Sequence, residues 1–169
     1  MILTHDEIIK CLQDKSIIID PLDEKRIGPA SVDVVLDNQF RIFKANQSEI
    51  NLNSDTVDTS KATELITTDT ITILPGQTIL GITKETITLA PHICGWIEGR
   101  SRFARIGLMV HISSGFMQPG ISNKQVLEIF NAGPMAITVN AGISVCQLIF
   151  EEAKGSASYN GQFQHQQTP

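Results

Sequence analysis

The chain has 169 residues, a net charge of −5, 41% hydrophobic and 18% charged residues, and a mean hydropathy near zero (+0.04). That length closes a single hydrophobic core, so one domain spanning 1–169 is expected. The composition excludes a disordered chain, and no apolar run approaches the roughly 20 residues of a membrane-spanning helix.

The first residues, MILTHDEIIK, carry acids where a leader peptide needs basic residues and then a long apolar run, so a cytoplasmic protein with no membrane partner is expected. Thr4-His5-Asp6-Glu7 reads as a capping box ahead of Ile8, Ile9 and Leu12, with Leu3 and Ile8 as its hydrophobic staple. One short N-terminal helix follows from it. After Pro21 the period changes to two: SVDVVL (31–36) and QFRIF (39–43) alternate, and Asp37-Asn38 between them predicts a hairpin. Residues 44–65 are polar and read as a long surface loop with at most one short strand.

From Thr70 onward short Thr-, Ile- and Val-rich runs are separated by Pro75-Gly76, Pro91, Pro119-Gly120, Gly133-Pro134 and Asn140-Ala141-Gly142. Such spacing predicts a mainly β domain, either a jelly roll or a distorted β-barrel. The residues from Gly155 onward are rich in Gln, Ser and Gly, with Tyr159 and Phe163 as anchors, and predict a tail that is disordered or ordered by a ligand. Cys11, Cys94 and Cys146 are far apart and lack a C-x-x-C, which predicts buried thiols and neither a disulfide framework nor a metal site.

Two groups of residues stand out chemically. Arg100, Arg102 and Arg105 surround Ser101 at a strand-to-turn boundary, where guanidinium forks and backbone N–H groups can grip phosphate oxygens. The acidic balance of the whole argues against nucleic acid, yet such a local basic cluster suits a small anion. In QVLEIF the alternation puts Val126, Glu128 and Phe130 on one face and Leu127 and Ile129 on the other. A carboxylate on an apolar face must be paired, protonated or functional; pairing with a nearby arginine competes with a role as general base.

The stretch GRSRFARIGLMVH, then Gly120 and QVLEIFNAG, resembles the central motif of the dCTP deaminase branch of the trimeric dUTPase-like superfamily. Ile19-Asp20-Pro21 with Gly28-Pro29-Ala30-Ser31-Val32-Asp33, Asn140-Ala141-Gly142 with residues 147–150, and the tail Tyr159…Gly161-Gln162-Phe163-Gln164-His165-Gln166 extend the resemblance over nearly the whole chain. It implies a dUTPase-like β-barrel or jelly roll, a homotrimer with sites at subunit interfaces, and residues 155–169 as a flexible lid. Position by position, it implies that Arg100 and Ser101 cradle the triphosphate, with Arg102 also in the substrate-binding set. Glu128 would activate water at C4 of cytosine, with Arg105 and Ser101 beside it. His111, Ile112, Ser113 and Ser114 would line the base and sugar pocket, Gln147 would join the substrate-binding set, and Tyr159, Gln162 and Gln166 would fold over the nucleotide.

The implied ligands are dCTP and dUTP, with Mg²⁺ carried on the phosphates and dTTP inhibition left open. Zinc is not implied: His5-Asp6-Glu7 satisfies H-x-E, but the P-C-x-x-C half of the zinc deaminase signature is absent. Gln118 stands where dUTP-hydrolysing members carry an aspartate, and an amide cannot act as a base, which favours deamination to dUTP. Gly115-Phe116, by contrast, matches members that continue to dUMP. The alternatives are a dUTP diphosphatase and a non-catalytic nucleotide-binding protein on the same fold.

Overall fold

The computed structural model describes residues 1–45, 49 and 58–169. The expected helix is α1 (His5–Gln13), and both Leu3 and Ile8 enter the core, as the staple requires. The capping box itself does not form. Thr4 is extended but its side chain makes no cap bond, and the first turn is closed by the Ile8 amide donating to the Thr4 carbonyl at 2.9 Å.

The strands are β1 (Ile17–Asp20), β2 (Val32–Val35), β3 (Gln39–Phe43), β4 (Thr63–Thr67), β5 (Thr70–Ile73), β6 (Thr78–Leu89), β7 (Ile93–Gly99), β8 (Leu108–Val110), β9 (Phe116–Met117), β10 (Ser122–Asn131), β11 (Ile137–Asn140) and β12 (Ser144–Glu152). They form a six-stranded sheet in the order β4-β3-β6-β10-β8 with β1 also on β6, a four-stranded sheet β2-β12-β7-β9, and the pair β11-β5. The domain is mainly β, as predicted. Of the region 44–65, residues 46–48 and 50–57 lie outside the described residues, and the remainder holds a single helical turn, α2 (Thr59–Ala62), and the start of β4.

The predicted hairpin of β2 and β3 is corrected: these neighbours in sequence lie in different sheets. β2 pairs with β12, and β3 pairs with β4 and β6. At the switch the Leu36 amide donates to the Ile143 carbonyl at 3.0 Å and the Asp37 amide to the Ile82 carbonyl at 2.9 Å, so each backbone group finds a partner from the sheet it is entering. The side chain of Asp37 caps the Asn38 amide and receives Lys124 Nζ at 2.8 Å. Burial alone would raise the Asp37 carboxyl, but these donors outweigh it and hold it below the usual carboxylate range.

The two large sheets meet through Val34, Ile97, Leu148 and Phe150 on one side and Phe40, Ile87, Leu127 and Ile129 on the other, none more than 3% exposed. Each such side chain contributes about 1.5–3 kcal/mol of transfer free energy. The cysteines follow expectation in part: Cys94 and Cys146 are buried and Cys11 is half-buried, all are free, and burial pushes each thiol up. No helix among the described residues is long and apolar enough to cross a membrane.

One buried acid ties the sheets together. Glu85 of β6 is 4% exposed, and its two carboxylate oxygens share the Val35 amide of β2 at 3.0 and 3.2 Å. Burial pushes its carboxyl up, and the Val35 amide opposes this only partly. A carboxyl raised in the folded state stabilises the fold at low pH, and that contribution is lost as pH rises through the folded value. Glu85→Gln cannot ionise. It should therefore unfold at a higher temperature than the parent at about pH 8, by roughly 2–4 °C per kcal/mol, with the gap closing towards about pH 4. A gap that thermal scans find independent of pH would show that the buried charge is not its cause.

Candidate functional site

β10 presents its residues to two environments: Leu127 and Ile129 are fully buried in the core, while Val126, Glu128 and Phe130 are half-buried on the opposite face. The predicted alternation holds. Glu128 lies opposite Leu80 of β6, and Leu80 lies opposite Arg41 of β3, so Arg41 and Glu128 share a sheet face two strand spacings apart, roughly 10 Å.

The partner of Glu128 is a histidine and not one of the arginines. β8 runs antiparallel to β10, and just beyond it His111 adopts φ +57, its amide donating to the Glu128 carbonyl at 2.7 Å. The turned backbone brings the ring back so that Nδ1 lies 3.2 Å from Glu128 Oε2. His111 Nε2 is 2.7 Å from the Ser114 carbonyl, which only accepts, so this nitrogen carries the proton. Nδ1 of a neutral ring then faces a carboxylate oxygen as a second acceptor. Both atoms are buried and neither has an aligned hydrogen bond, so the contact is attractive only when a proton lies between them. The Glu128 side chain stays 33% exposed towards a cleft, against 7% for His111.

The cleft is about 1010 Å³, at the upper end of small-molecule sites. Its walls include His111, Ser114, Phe116, Gln118 and Glu128 from the sheet side, Arg41 at the far edge, and Tyr159, Gln162 and Gln166 from the C-terminal segment. That segment, expected to be disordered or held by a ligand, lies along β10: Tyr159 N–H donates to the Pro119 carbonyl at 2.8 Å and Lys124 N–H to the Gln166 carbonyl at 3.0 Å. Ser113 and Ile112 are exposed and lie outside the lining; Gly115 accepts from the Ile97 amide at 2.7 Å.

The basic group is elsewhere. Arg100 precedes the single-turn α3 (Ser101–Ala104) and forms an ion pair with Asp33 of β2. Gln147 of β12 sits opposite both Asp33 and Glu98, accepts from Ser31 Oγ at 2.8 Å and donates to the Gly99 carbonyl at 3.4 Å. Ser101, Arg102 and Arg105 are exposed, and neither they nor Arg100 and Gln147 line the Glu128 cleft. The expected placement of Arg105 and Ser101 beside Glu128 is therefore absent within one chain. α3 is joined to β8 through Gly107, whose φ is +87 and where a Cβ would lie 2.5 Å from the Gly133 nitrogen, so this turn fixes the two halves relative to each other.

Arg41 escaped the sequence reading, as did Asn123, a buried amide at the head of β10. Among the described residues no cluster of three or more His, Cys, Asp or Glu side chains is placed to hold a metal ion.

A family model described as dCTP deaminase-like matches residues 2–153. The dCTP deaminase of Marinomonas sp. (strain MWYL1) is 38% identical over 167 residues, covering 93% of this chain and 86% of the relative. The "dCTP deaminase, dUMP-forming" of Corynebacterium efficiens is 34% identical, covering 100% of this chain and 92% of the relative. Among solved structures, the 2'-deoxycytidine 5'-triphosphate deaminase of Agrobacterium tumefaciens superposes with a TM-score of 0.69 over 90% of this chain at 16% identity, a likeness of fold; the chain spans 48% of the length of that structure.

Proposed function

The chain belongs to the dCTP deaminase-like family, and from that premise we propose that it hydrolyses dCTP to dUTP and ammonia, with Glu128 as the group that moves the proton. The observation that carries the assignment is a side-chain carboxylate, one-third exposed in a wide cleft, with His111 Nδ1 3.2 Å behind it. Water attacks C4 of cytosine as Glu128 takes one of its protons. That proton passes to the departing nitrogen, the other ends on N3 as the C4 carbonyl forms, and ammonia leaves. His111 packs behind Glu128 Oε2 and leaves the other oxygen to the water.

The active unit on this reading is a homotrimer, in which the basic face of one chain meets the Glu128 cleft of another. Its support is the division of the site: Arg100, Ser101, Arg102, Arg105 and Gln147 do not line the Glu128 cleft of the single chain. There Arg100 and Arg102 would hold the triphosphate, while Ser101 and Arg105 would complete the catalytic centre from the neighbouring chain. His111 and Ser114 would bound the base pocket, and Tyr159, Gln162 and Gln166 would cover the nucleotide. Mg²⁺ enters as part of the substrate, bound to its phosphates. The reaction is read as zinc-independent, and as taking place in the cytoplasm.

A second step to dUMP is favoured by Gly115-Phe116 and by the dUMP-forming relative, and opposed by the amide of Gln118 in the cleft. Incubation with dCTP and Mg²⁺, then with dUTP, resolved by anion-exchange chromatography, decides between them. Accumulating dUTP is the expected result. Appearance of dUMP and pyrophosphate would establish the second step, dUMP from dUTP alone would make the protein a diphosphatase, and no product from either would remove the enzymatic reading.

A further inference from the structure

Residues 155–169 lie against their own chain, and the contacts that hold them differ in kind. Ala157, Tyr159 and Gln166 are held backbone to backbone, and the side chains of Arg41, Asn123, Gln164 and Gln166 supply the other bonds. Asn123 is the buried one of these four residues, 6% exposed, and both ends of its amide are engaged. Nδ2 donates to the Phe163 carbonyl at 2.6 Å, and Oδ1 accepts from Gln125 Nε2 at 2.5 Å. A buried amide is costly unless its donors are satisfied. Among the described residues this donor has its partner in the tail, so Asn123 favours the docked tail specifically.

Two further contacts give the tail its direction. At its start Ser158 presses on Gly120, where φ is +77 and a Cβ would lie 2.8 Å from the Ser158 Cα, while Gln164 Nε2 donates to the Gly120 carbonyl at 2.8 Å. At its far end Arg41 Nε donates to the Pro169 carbonyl. Since Arg41 shares the sheet face of Glu128 two strands away, the tail runs from Gly120 across the mouth of the cleft.

We propose that Asn123 is a positioning residue that latches the C-terminal segment of this chain across its own Glu128 cleft. The role in turnover rests on the dCTP reading; the latch itself does not. Loss of the donor shifts the tail towards its open state in the free protein, and it weakens closure over bound substrate without touching the proton transfer.

The test uses the full-length protein and the variants Asn123→Ala and Asn123→Asp, the latter of similar shape and retaining an acceptor for Gln125. Ligand-free protein is digested briefly with chymotrypsin, and cleavage after Tyr159 and Phe163 is followed by mass. Both variants should be cut about 5- to 10-fold faster than the parent, the factor that corresponds to one lost buried hydrogen bond. Gly120→Ala, which obstructs the tail from the other side, should do the same even if the Asn123 variants fold poorly. With dCTP, the Asn123 variants should show a raised KM with kcat nearly kept. Unchanged cleavage in all three variants overturns the latch, and a loss of kcat that tracks falling thermal stability reduces Asn123 to a structural residue. Faster cleavage in a protein whose parent does not turn over dCTP would leave the latch standing and sink the enzymatic reading alone.

Discussion

Glu128→Gln abolishes deamination, with an expected loss of about 10²- to 10⁴-fold in kcat and dCTP binding largely intact. Glutamine preserves the shape of the side chain at its place opposite Leu80, but it cannot accept the proton of the water. The core-facing neighbours Leu127 and Ile129 are untouched, so the fold should survive. The check is paired: turnover of dCTP by ammonia release, and dCTP affinity by calorimetry. Turnover at the parent rate would end the assignment of Glu128, whereas loss of binding would assign it to holding the base.

Gly107→Ala should be the most damaging single-atom change to stability near the site. The residue combines a φ of +87 with a Cβ position 2.5 Å from the backbone nitrogen of Gly133, so both the conformation and the space exclude a methyl group. Strain of this kind costs about 1–3 kcal/mol, and a chain of this size loses roughly 2–4 °C of melting temperature for each. Gly142→Ala is the natural control. Its φ is +88, yet nothing lies within 4 Å of its Cβ position, so it carries the backbone strain alone. Equal losses in the two variants, measured by thermal unfolding, would mean that the contact between Gly107 and Gly133 is not a constraint.

The elements that sequence made legible are those whose signal is local. Leu3 and Ile8 announced α1, Gly and Pro marked most strand ends, and alternation alone placed Glu128 opposite in face to Leu127. What it could not supply was partners. Asp37-Asn38 has the chemistry of a tight turn, but the same side-chain cap serves a chain that is leaving one sheet for another, and only the Ile82 and Ile143 carbonyls reveal which.

The same limit governed the site. Arg100 and Arg105 are closer to Glu128 in sequence than Arg41 is, and they end on another surface; His111 reaches Glu128 because β8 and β10 run antiparallel. Arg41 looked like an ordinary strand residue, and its relation to Glu128 exists only through the register with Leu80. Asn123 gave no signal because a lone polar residue at the head of a strand is indistinguishable from a solvated one until the tail is seen covering it. The resemblance to a known family named both groups of residues and implied sites at subunit interfaces, but it could not say which group lines the Glu128 cleft of the single chain.

Trp96 is the only tryptophan of the chain. It stands 42% exposed on β7 with its ring 4.9 Å from that of Phe116, and Phe116 itself lines the Glu128 cleft. Indole emission from this protein therefore arises at one place, the rim of the cleft, and is not an average over the molecule. Its wavelength and quenching register whether that rim is wet or covered, so ligand arrival and chain association can be followed optically without attaching a label.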